Sequence, residues 1–268
     1  MPEFVDQTGR VVAIADYPQR IISLVPSQTE LLYDLGLCDR IAGITKFCVH
    51  PSHLRSQTNI VGGTKRFNAD KIAALSPDLI IANKEENERG QILQLAERFP
   101  VWISDICNLD DALKMIAEVG IITGSAQKAA ELVIAIQNAF DVLNQKVATT
   151  TTAVKAAYLI WKNPYMAAAS GTFIDDMLHL CRFDNVFAGL KRYPEVNESD
   201  LVNADVILLS TEPFPFREKH VKEVQQQFPN SIVSLADGEF FSWYGSRLLK
   251  AAEYFLQLRS KLISEMKS

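Results

Sequence analysis

No apolar run in these 268 residues approaches the roughly 18 that a membrane-spanning helix needs. Positive charge is in short supply as well. With 27 Lys and Arg against 32 Asp and Glu, the net charge is −5, which argues against the basic face that nucleic-acid binding uses. Cysteine is sparse. Cys38, Cys48, Cys107 and Cys181 stand apart without a C-x-x-C pair, so they read mostly as buried thiols rather than a disulfide framework. Catalytic signatures are missing: there is no G-x-S-x-G, no P-loop, no dinucleotide fingerprint and no H-E-x-x-H. The opening M-P-E-F-V-D-Q-T-G-R has no basic start, apolar stretch or cleavage site. It reads as cytoplasmic as it stands, or as periplasmic or cell-surface if it begins at a mature terminus.

What is present is ordinary globular material, 48% hydrophobic and 22% charged, in a length that suits two domains. It is also written twice. D-K-I-A-A-L-S-P-D-L-I-I-A from Asp70 parallels D-L-V-N-A-D-V-I-L-L-S from Asp200. Arg20–Pro26 parallels Lys155–Trp161, Thr29–Leu37 parallels Thr172–Leu180, and Val101–Asp105 parallels Ile232–Asp237. Duplication at this period predicts two α/β lobes, and a groove between lobes is a common place for a small molecule.

The order of elements follows from punctuation and periodicity. Strands are expected at 11–14, 21–25, 41–45, 79–82 and 101–104, with helices at 30–35, 70–75, 91–99 and 110–123. Pro26-Ser27-Gln28 is read as a break, after which Thr29 caps the first helix. Between the repeats lies Ser125–Val147, with Ala129, Leu132, Val133, Ile136, Phe140, Leu143 and Val147 on one stripe and neither Gly nor Pro. That predicts one continuous connecting helix roughly 35 Å long, ended by Thr149–Thr152. Strands at 156–160, 206–209 and 232–235 and helices at 173–180, 218–227 and 246–261 complete a second unit. The fold class is α/β: two Rossmann-like lobes with parallel sheets joined by one long backbone helix, as 1–123, 124–148 and 149–268.

R-I-I-S-L-V-P-S-Q-T-E-L-L-Y-D-L-G-L, V-G-G-T-K-R-F-N-A-D-K-I-A-A-L-S-P-D-L-I-I-A and Y-P-E-V-N-E-S-D-L-V-N-A-D-V-I resemble the solute-binding proteins of ABC importers for vitamin B12 and iron–siderophores. The resemblance covers nearly the whole chain and is specific for the family, not for the ligand. It implies a corrinoid such as cobalamin, or another metal chelate, held in the cleft of a monomer for delivery to permease subunits. It implies no intrinsic cofactor, no nucleic-acid partner and no enzymatic activity. The alternatives are an iron–siderophore or haem binder, or a cytosolic corrinoid- or tetrapyrrole-handling enzyme such as a chelatase.

Open α/β sheets place ligands beyond strand C-termini, which selects the candidate residues. Trp161 ends a strand and leads W-K-N-P-Y, with Tyr165 close behind; the resemblance matches Trp161 to an aromatic that lies on the corrin. F-F-S-W-Y-G-S-R supplies Phe240, Phe241, Trp243, Tyr244 and Arg247, an aromatic content that loops seldom carry without a ligand. The resemblance matches Arg247 to a ligand-lining arginine. F-C-V-H-P-S-H supplies Phe47 and His50, and the resemblance places His50 where B12 binders carry a ligand-facing tyrosine. An imidazole there can also coordinate the ligand's metal. Cys48, His50 and His53 form a weak C-x-H-x-x-H zinc pattern with no fourth ligand nearby. Glu85, Glu86 and Asn87, with Lys65, Arg66 and Phe67, complete the ligand set; a charge run is otherwise a solvated face. Asp70, with Glu198 or Asp200, matches acids that meet permease arginines. The plain reading of Asp70 is a carboxylate favoured at a helix N-terminus, and both roles can hold together.

Overall fold

The computed structural model describes residues 1–148 and 154–267. The expected stop at Thr149–Thr152 lies outside the described residues. The chain divides into two compact units. The first comprises Met1–Ile106, Asp110–Ile134 and Tyr244–Arg247, and the second Cys107–Leu109, Ala135–Trp243 and Leu248–Ser268.

The first unit opens with an antiparallel pair, β1 (Glu3–Val5) and β2 (Val11–Ala13). Then come β3 (Ile21–Ser23), α1 (Pro26–Asp34), β4 (Ile41–Thr45), α2 (Leu54–Gln57), β5 (Asn59–Gly62), α3 (Ala69–Ala74), β6 (Leu79–Asn83), α4 (Arg89–Ala96), β7 (Val101–Ser104) and α5 (Leu109–Thr123). The sheet runs β5-β4-β3-β6-β7, parallel throughout. Every residue of β3, β6 and β7 is buried, so these apolar runs lie in a sheet covered on both faces. Ile22, Ile80, Ala82, Val101 and Ile103 meet Ile72 from α3 and Ile92 and Leu95 from α4 in one core cluster.

The break expected at Pro26 is instead the first turn of α1. Proline fits there because its fixed φ suits the helix and its missing N–H has no intrahelical partner to lose. Thr29 is therefore not a cap. It lies inside the helix, where its hydroxyl donates back to the Val25 carbonyl at 3.0 Å. Asn68 caps α3 by accepting the Lys71 N–H at 2.9 Å, a contact worth about 1 kcal/mol.

α6 (Ala126–Ala148) is a single helix of 23 residues. Ala126–Ile134 belong to the first unit and Ala135 onward to the second.

The second unit continues with β8 (Val154–Trp161), β9 (Tyr165–Ala167), α7 (Phe173–Leu180), β10 (Phe183–Asn185), β11 (Glu195–Val196), α8 (Glu198–Leu201), β12 (Val206–Ser210), α9 (Glu218–Gln227), β13 (Ile232–Ala236), α10 (Gly238–Ser242) and α11 (Leu248–Glu265). Strands β8, β12 and β13 are parallel, as the repeat predicts. The outer part is mixed. The free edge of β8 is shared, with β10 parallel along its first residues and β9 antiparallel near its end, and β11 antiparallel beyond β9. Pairing thus continues up to Trp161, which is matched with Met166. Ala157, Leu159, Ile207, Leu209 and Val233 form the centre of this unit's core with Val224 of α9. Among the described residues no helix is long and apolar enough to cross a membrane.

Candidate ligand-binding site

In the first unit, the loops after β4, β5 and β6 and the segment Tyr244–Arg247 supply the candidate groups. After β4, exposure alternates around Cys48, which is buried. Its sulfur lies 3.1 Å from the Thr29 hydroxyl and 3.3 Å from that of Thr45. Burial pushes the Cys48 thiol up, against the pull of those hydrogen bonds, so it stays protonated at neutral pH. Anchored this way, the loop presents Phe47, 50% exposed, with the Lys46 ammonium 5.0 Å from its ring centre. His50 is half-buried, and His53 packs edge-on to Tyr33 at 5.4 Å. The weak zinc pattern is not assembled: among the described residues no group of three or more His, Cys, Asp or Glu side chains is placed to hold a metal.

After β5, Lys65 hydrogen-bonds through its ammonium to the Glu85 carbonyl, Arg66 is exposed, and Phe67 turns inward onto the core. After β6, the Asn83 side-chain oxygen accepts the Glu85 and Glu86 N–H groups at 2.8 and 3.0 Å. Asn87 is buried, and its side chain joins the Asn83 N–H to the carbonyls of Leu24 and Thr64. It braces the loop rather than lining its surface, because both ends of its amide are engaged within the protein.

Tyr244–Arg247 is fastened to the first unit by three carboxylates. The Tyr244 hydroxyl donates to Glu86 at 2.8 Å and the Ser246 hydroxyl to Asp34 at 2.5 Å. The Arg247 guanidinium donates twice to Glu30, at 3.0 and 2.8 Å. Gly245 must be glycine in this arrangement, since a Cβ there would lie 2.5 Å from the Ser27 carbonyl oxygen. Burial pushes the Glu30 carboxyl up, and the Arg247 charge pulls it back. The arginine expected to meet a ligand therefore already holds a planar, two-pronged ion pair.

In the second unit, Trp161 is 40% exposed at the end of β8. Its ring meets Phe214 edge-on at 5.6 Å. Phe214 comes from the loop after β12, where sequence reasoning assigned nothing. It extends the aromatic surface through Phe216 at 4.7 Å and His220 at 5.5 Å. The signal was available as P-F-P-F directly after a strand. Tyr165 is half-buried on β9 against the core.

The aromatic run after β13 divides three ways. Phe241 is not ligand-facing. It is fully buried, 4.8 Å from Tyr158 and 4.7 Å from Phe255, because Gly238–Ser242 is helical and turns that position into the core. Phe240 is half-buried and stacks on Tyr254 at 4.6 Å. Trp243 is buried, and its indole N–H donates to Glu212 at 3.1 Å. Glu212 also accepts the Ser242 hydroxyl at 2.7 Å, and burial pushes its carboxyl up. Gly238 makes room for it: an added Cβ would sit 2.4 Å from the Glu212 Cγ.

Asp70 is exposed in the first turn of α3. Glu198 and Asp200 are exposed in α8, where Asp200 accepts the Asn197 N–H at 2.8 Å as part of the helix cap.

Two sheets with chemistry gathered at their strand ends, in a chain matched over residues 21–232 by the periplasmic binding protein model, decide the family. The chain belongs to the periplasmic binding protein family. Its function is thus binding, and the chelatase alternative falls with that membership. Among relatives, an uncharacterized ABC transporter substrate-binding lipoprotein of Bacillus subtilis is 25% identical, over 76% of this chain and 67% of its own length. The vitamin B12-binding protein of Pectobacterium carotovorum is 24% identical, over 92% of this chain and 91% of its own. Among solved structures, the periplasmic vitamin B12 binding protein of Vibrio cholerae superposes with a TM-score of 0.79 at 22% identity, covering 92% of this chain and all of that one. At that identity the superposition shows the shared fold.

Proposed function

We propose that this protein binds a corrinoid and delivers it to the permease of an ABC importer. One observation carries the choice of ligand: Trp161 of the second unit keeps its indole 40% exposed beside Phe214, while Arg247 of the first unit is already paired with Glu30. Arg247 is held by Glu30, Lys65 hydrogen-bonds to the Glu85 carbonyl, and Lys84 pairs with Asp105 at 2.5 Å. An anionic iron chelate or haem draws on unbalanced positive charge, and the pairing of Arg247 and Lys84 with carboxylates takes two cations out of that supply. A corrinoid offers a broad apolar face with a rim of amides. Trp161 and Phe214 suit the face, and Glu86, Glu85, Lys65 and His50 suit the amides. Phe47, Arg66, Tyr165, Phe240, Trp243, Tyr244 and Arg247 belong to or support the same surfaces, and direct coordination of the ligand metal by His50 is part of the proposal. Phe67 turns inward here and acts only through the loop it anchors. Asp70 and Glu198 are the proposed permease contacts, because both carboxylates are exposed in first helical turns while Asp200 is engaged in its cap.

The test is titration with cobalamin, followed by tryptophan emission and by the absorbance that stays with protein after gel filtration. Saturable quenching and co-elution are expected. Tighter binding of haem or a ferric siderophore than of cobalamin would overturn the ligand assignment in favour of the anionic class.

A further inference from the structure

We propose that His220 is a positioning residue whose neutral imidazole anchors the loop that presents Phe214 beside Trp161, so that acid loosens the aromatic face of the second unit. The proposal rests on the corrinoid reading for its ligand but on geometry for its mechanism. The Arg217 N–H donates to His220 Nδ1 at 2.9 Å. Because Nδ1 accepts, it carries the lone pair, and the ring proton sits on Nε2. This is the backward hydrogen bond of a capping box at the start of α9, made by histidine at the third helical position where Glu or Gln is usual.

The loop concerned, T-E-P-F-P-F-R from Thr211 to Arg217, is tied at its near end by the Thr211 hydroxyl, which accepts the Gly238 N–H at 2.9 Å, and by the Glu212 carboxylate, which accepts from Ser242 and Trp243; the stretch from Pro213 onward has fewer polar ties. Pro213 and Pro215 have no N–H to donate. Its backbone donors reach Ala236 from Thr211 at 3.0 Å, Ile160 from Phe214 at 3.3 Å, and the loop's own Phe214 carbonyl from Phe216 at 2.8 Å. At the far end the Arg217 bond acts together with Phe216, whose ring is buried in the core of this unit. The imidazole is also packed into what it holds, 5.5 Å from the Phe214 ring and 5.6 Å from Phe216, to which it is nearly perpendicular. Phe214 in turn meets Trp161. A continuous row of rings therefore runs from His220 to the exposed indole.

Protonation reverses the chemistry of Nδ1. An imidazolium donates from both nitrogens, so the Arg217 N–H would face another N–H. The charged groups around the ring are Lys219 and Glu223 from its own helix, Lys162 from the turn after β8, and Arg217 at the cap. Burial lowers the imidazole below its usual 6.5, Lys219, Lys162 and Arg217 add to this, and Glu223 opposes it. A histidine held below its unfolded value contributes its stability above that value and loses it as pH falls. The anchor is thus complete at neutral pH and fails on acidification below 6.5.

The experiment compares wild type, His220→Gln and His220→Leu at about pH 7.5 and about pH 5, on either side of imidazole titration. Glutamine can accept the Arg217 N–H without titrating; leucine cannot accept it. In free protein, hydrogen exchange over residues 211–220 is read after correction for the intrinsic pH dependence. The wild-type loop should be protected at the higher pH and lose protection at the lower, glutamine should protect at both, and leucine at neither. Cobalamin affinity should follow the same order, with a loss of roughly 3- to 10-fold where the anchor is absent. Wild-type exchange and affinity in His220→Leu, or a glutamine variant as acid-sensitive as wild type, would overturn the proposal. Exchange that responds while affinity does not would overturn the link to the ligand face. If cobalamin fails to saturate any variant, the corrinoid reading falls and the exchange measurements alone decide the anchor. Should the leucine variant not fold, the contrast between glutamine and wild type across the two pH values still decides it.

Discussion

The two units begin from the same strand-and-loop plan and finish it with different chemistry. In the first, helix α1 after β3 and the loop after β6 supply three carboxylates that are met by a tyrosine, a serine and an arginine from Tyr244–Arg247. In the second, the loops beyond β8 and β12 gather rings, with Trp161, Phe214, Phe216 and His220 in one row. The backbone repeat therefore conserves where a side chain can be presented, and the side chains set what is presented. One rim is mainly polar, with Arg247 balanced by Glu30 and Phe47 as its exposed ring. The other is apolar with an indole left in solvent.

Breaking the second rim from beneath should have the largest effect. Gly238→Val forces a side chain into the space occupied by Glu212, Ser210 and the Glu212 backbone, at 2.4, 2.7 and 3.0 Å from the new Cβ. We expect a loss of about 3 kcal/mol in chemical denaturation. Exchange protection should fall around 210–243, with α3 and β6 of the first unit little changed. Equal loss in both units would erase the contrast.

Removing the exposed ring is next. Trp161→Ala should weaken cobalamin by about 1–2 kcal/mol, roughly 5- to 30-fold, with little change in the melting temperature of the free protein. A large drop in melting temperature with unchanged affinity would make Trp161 a core residue.

Glu30→Gln addresses the polar rim. It removes the carboxylate charge that Arg247 faces and leaves a neutral acceptor in place. Haem affinity, followed by its absorbance, should rise by about fivefold while cobalamin affinity changes less. No gain for an anionic ligand would show that balanced charge is not what discriminates. The smallest effect on ligand affinity is expected for Asp70→Lys. Cobalamin binding should stay within about twofold, because the carboxylate is exposed. Uptake driven through the permease should fall. A tenfold loss of affinity would assign Asp70 to the ligand surface.

Much of the fold was legible because long apolar runs and helix caps are local signals. Strands 41–45 and 101–104 and helices 173–180 and 218–227 fall at their expected residues. The errors have physical sources. Pro26 reads as a breaker unless its tolerance at a first helical turn is weighed. β9 and β11 are only three and two residues long, and their pairing is set by the edge of β8, which no window of sequence contains. For the candidate site, strand ends led to Trp161 and to the residues after β6. The run F-F-S-W-Y could not be divided in advance. Which ring faces the core depends on a five-residue helix whose Phe241 is drawn inward by Tyr158 and Phe255, residues 83 and 14 positions away in the chain. Phe214 and His220 were missed because two prolines mask the loop, and because a histidine's hydrogen-bond acceptor is invisible until its partner is placed.

Tyr244–Arg247 carries a consequence for biosynthesis. These four residues complete the first unit, yet they lie about 100 positions beyond α6 in the chain. During translation the ribosome makes every strand of both sheets before it releases them. The unit that is begun first therefore waits for its last four residues until nearly all of the second has been made, with only Leu248 onward still to come. A fragment cut within residues 149–153 would carry Glu30, Asp34 and Glu86 without the donors that Tyr244, Ser246 and Arg247 bring to them, and adding the C-terminal fragment in trans is the natural way to restore them.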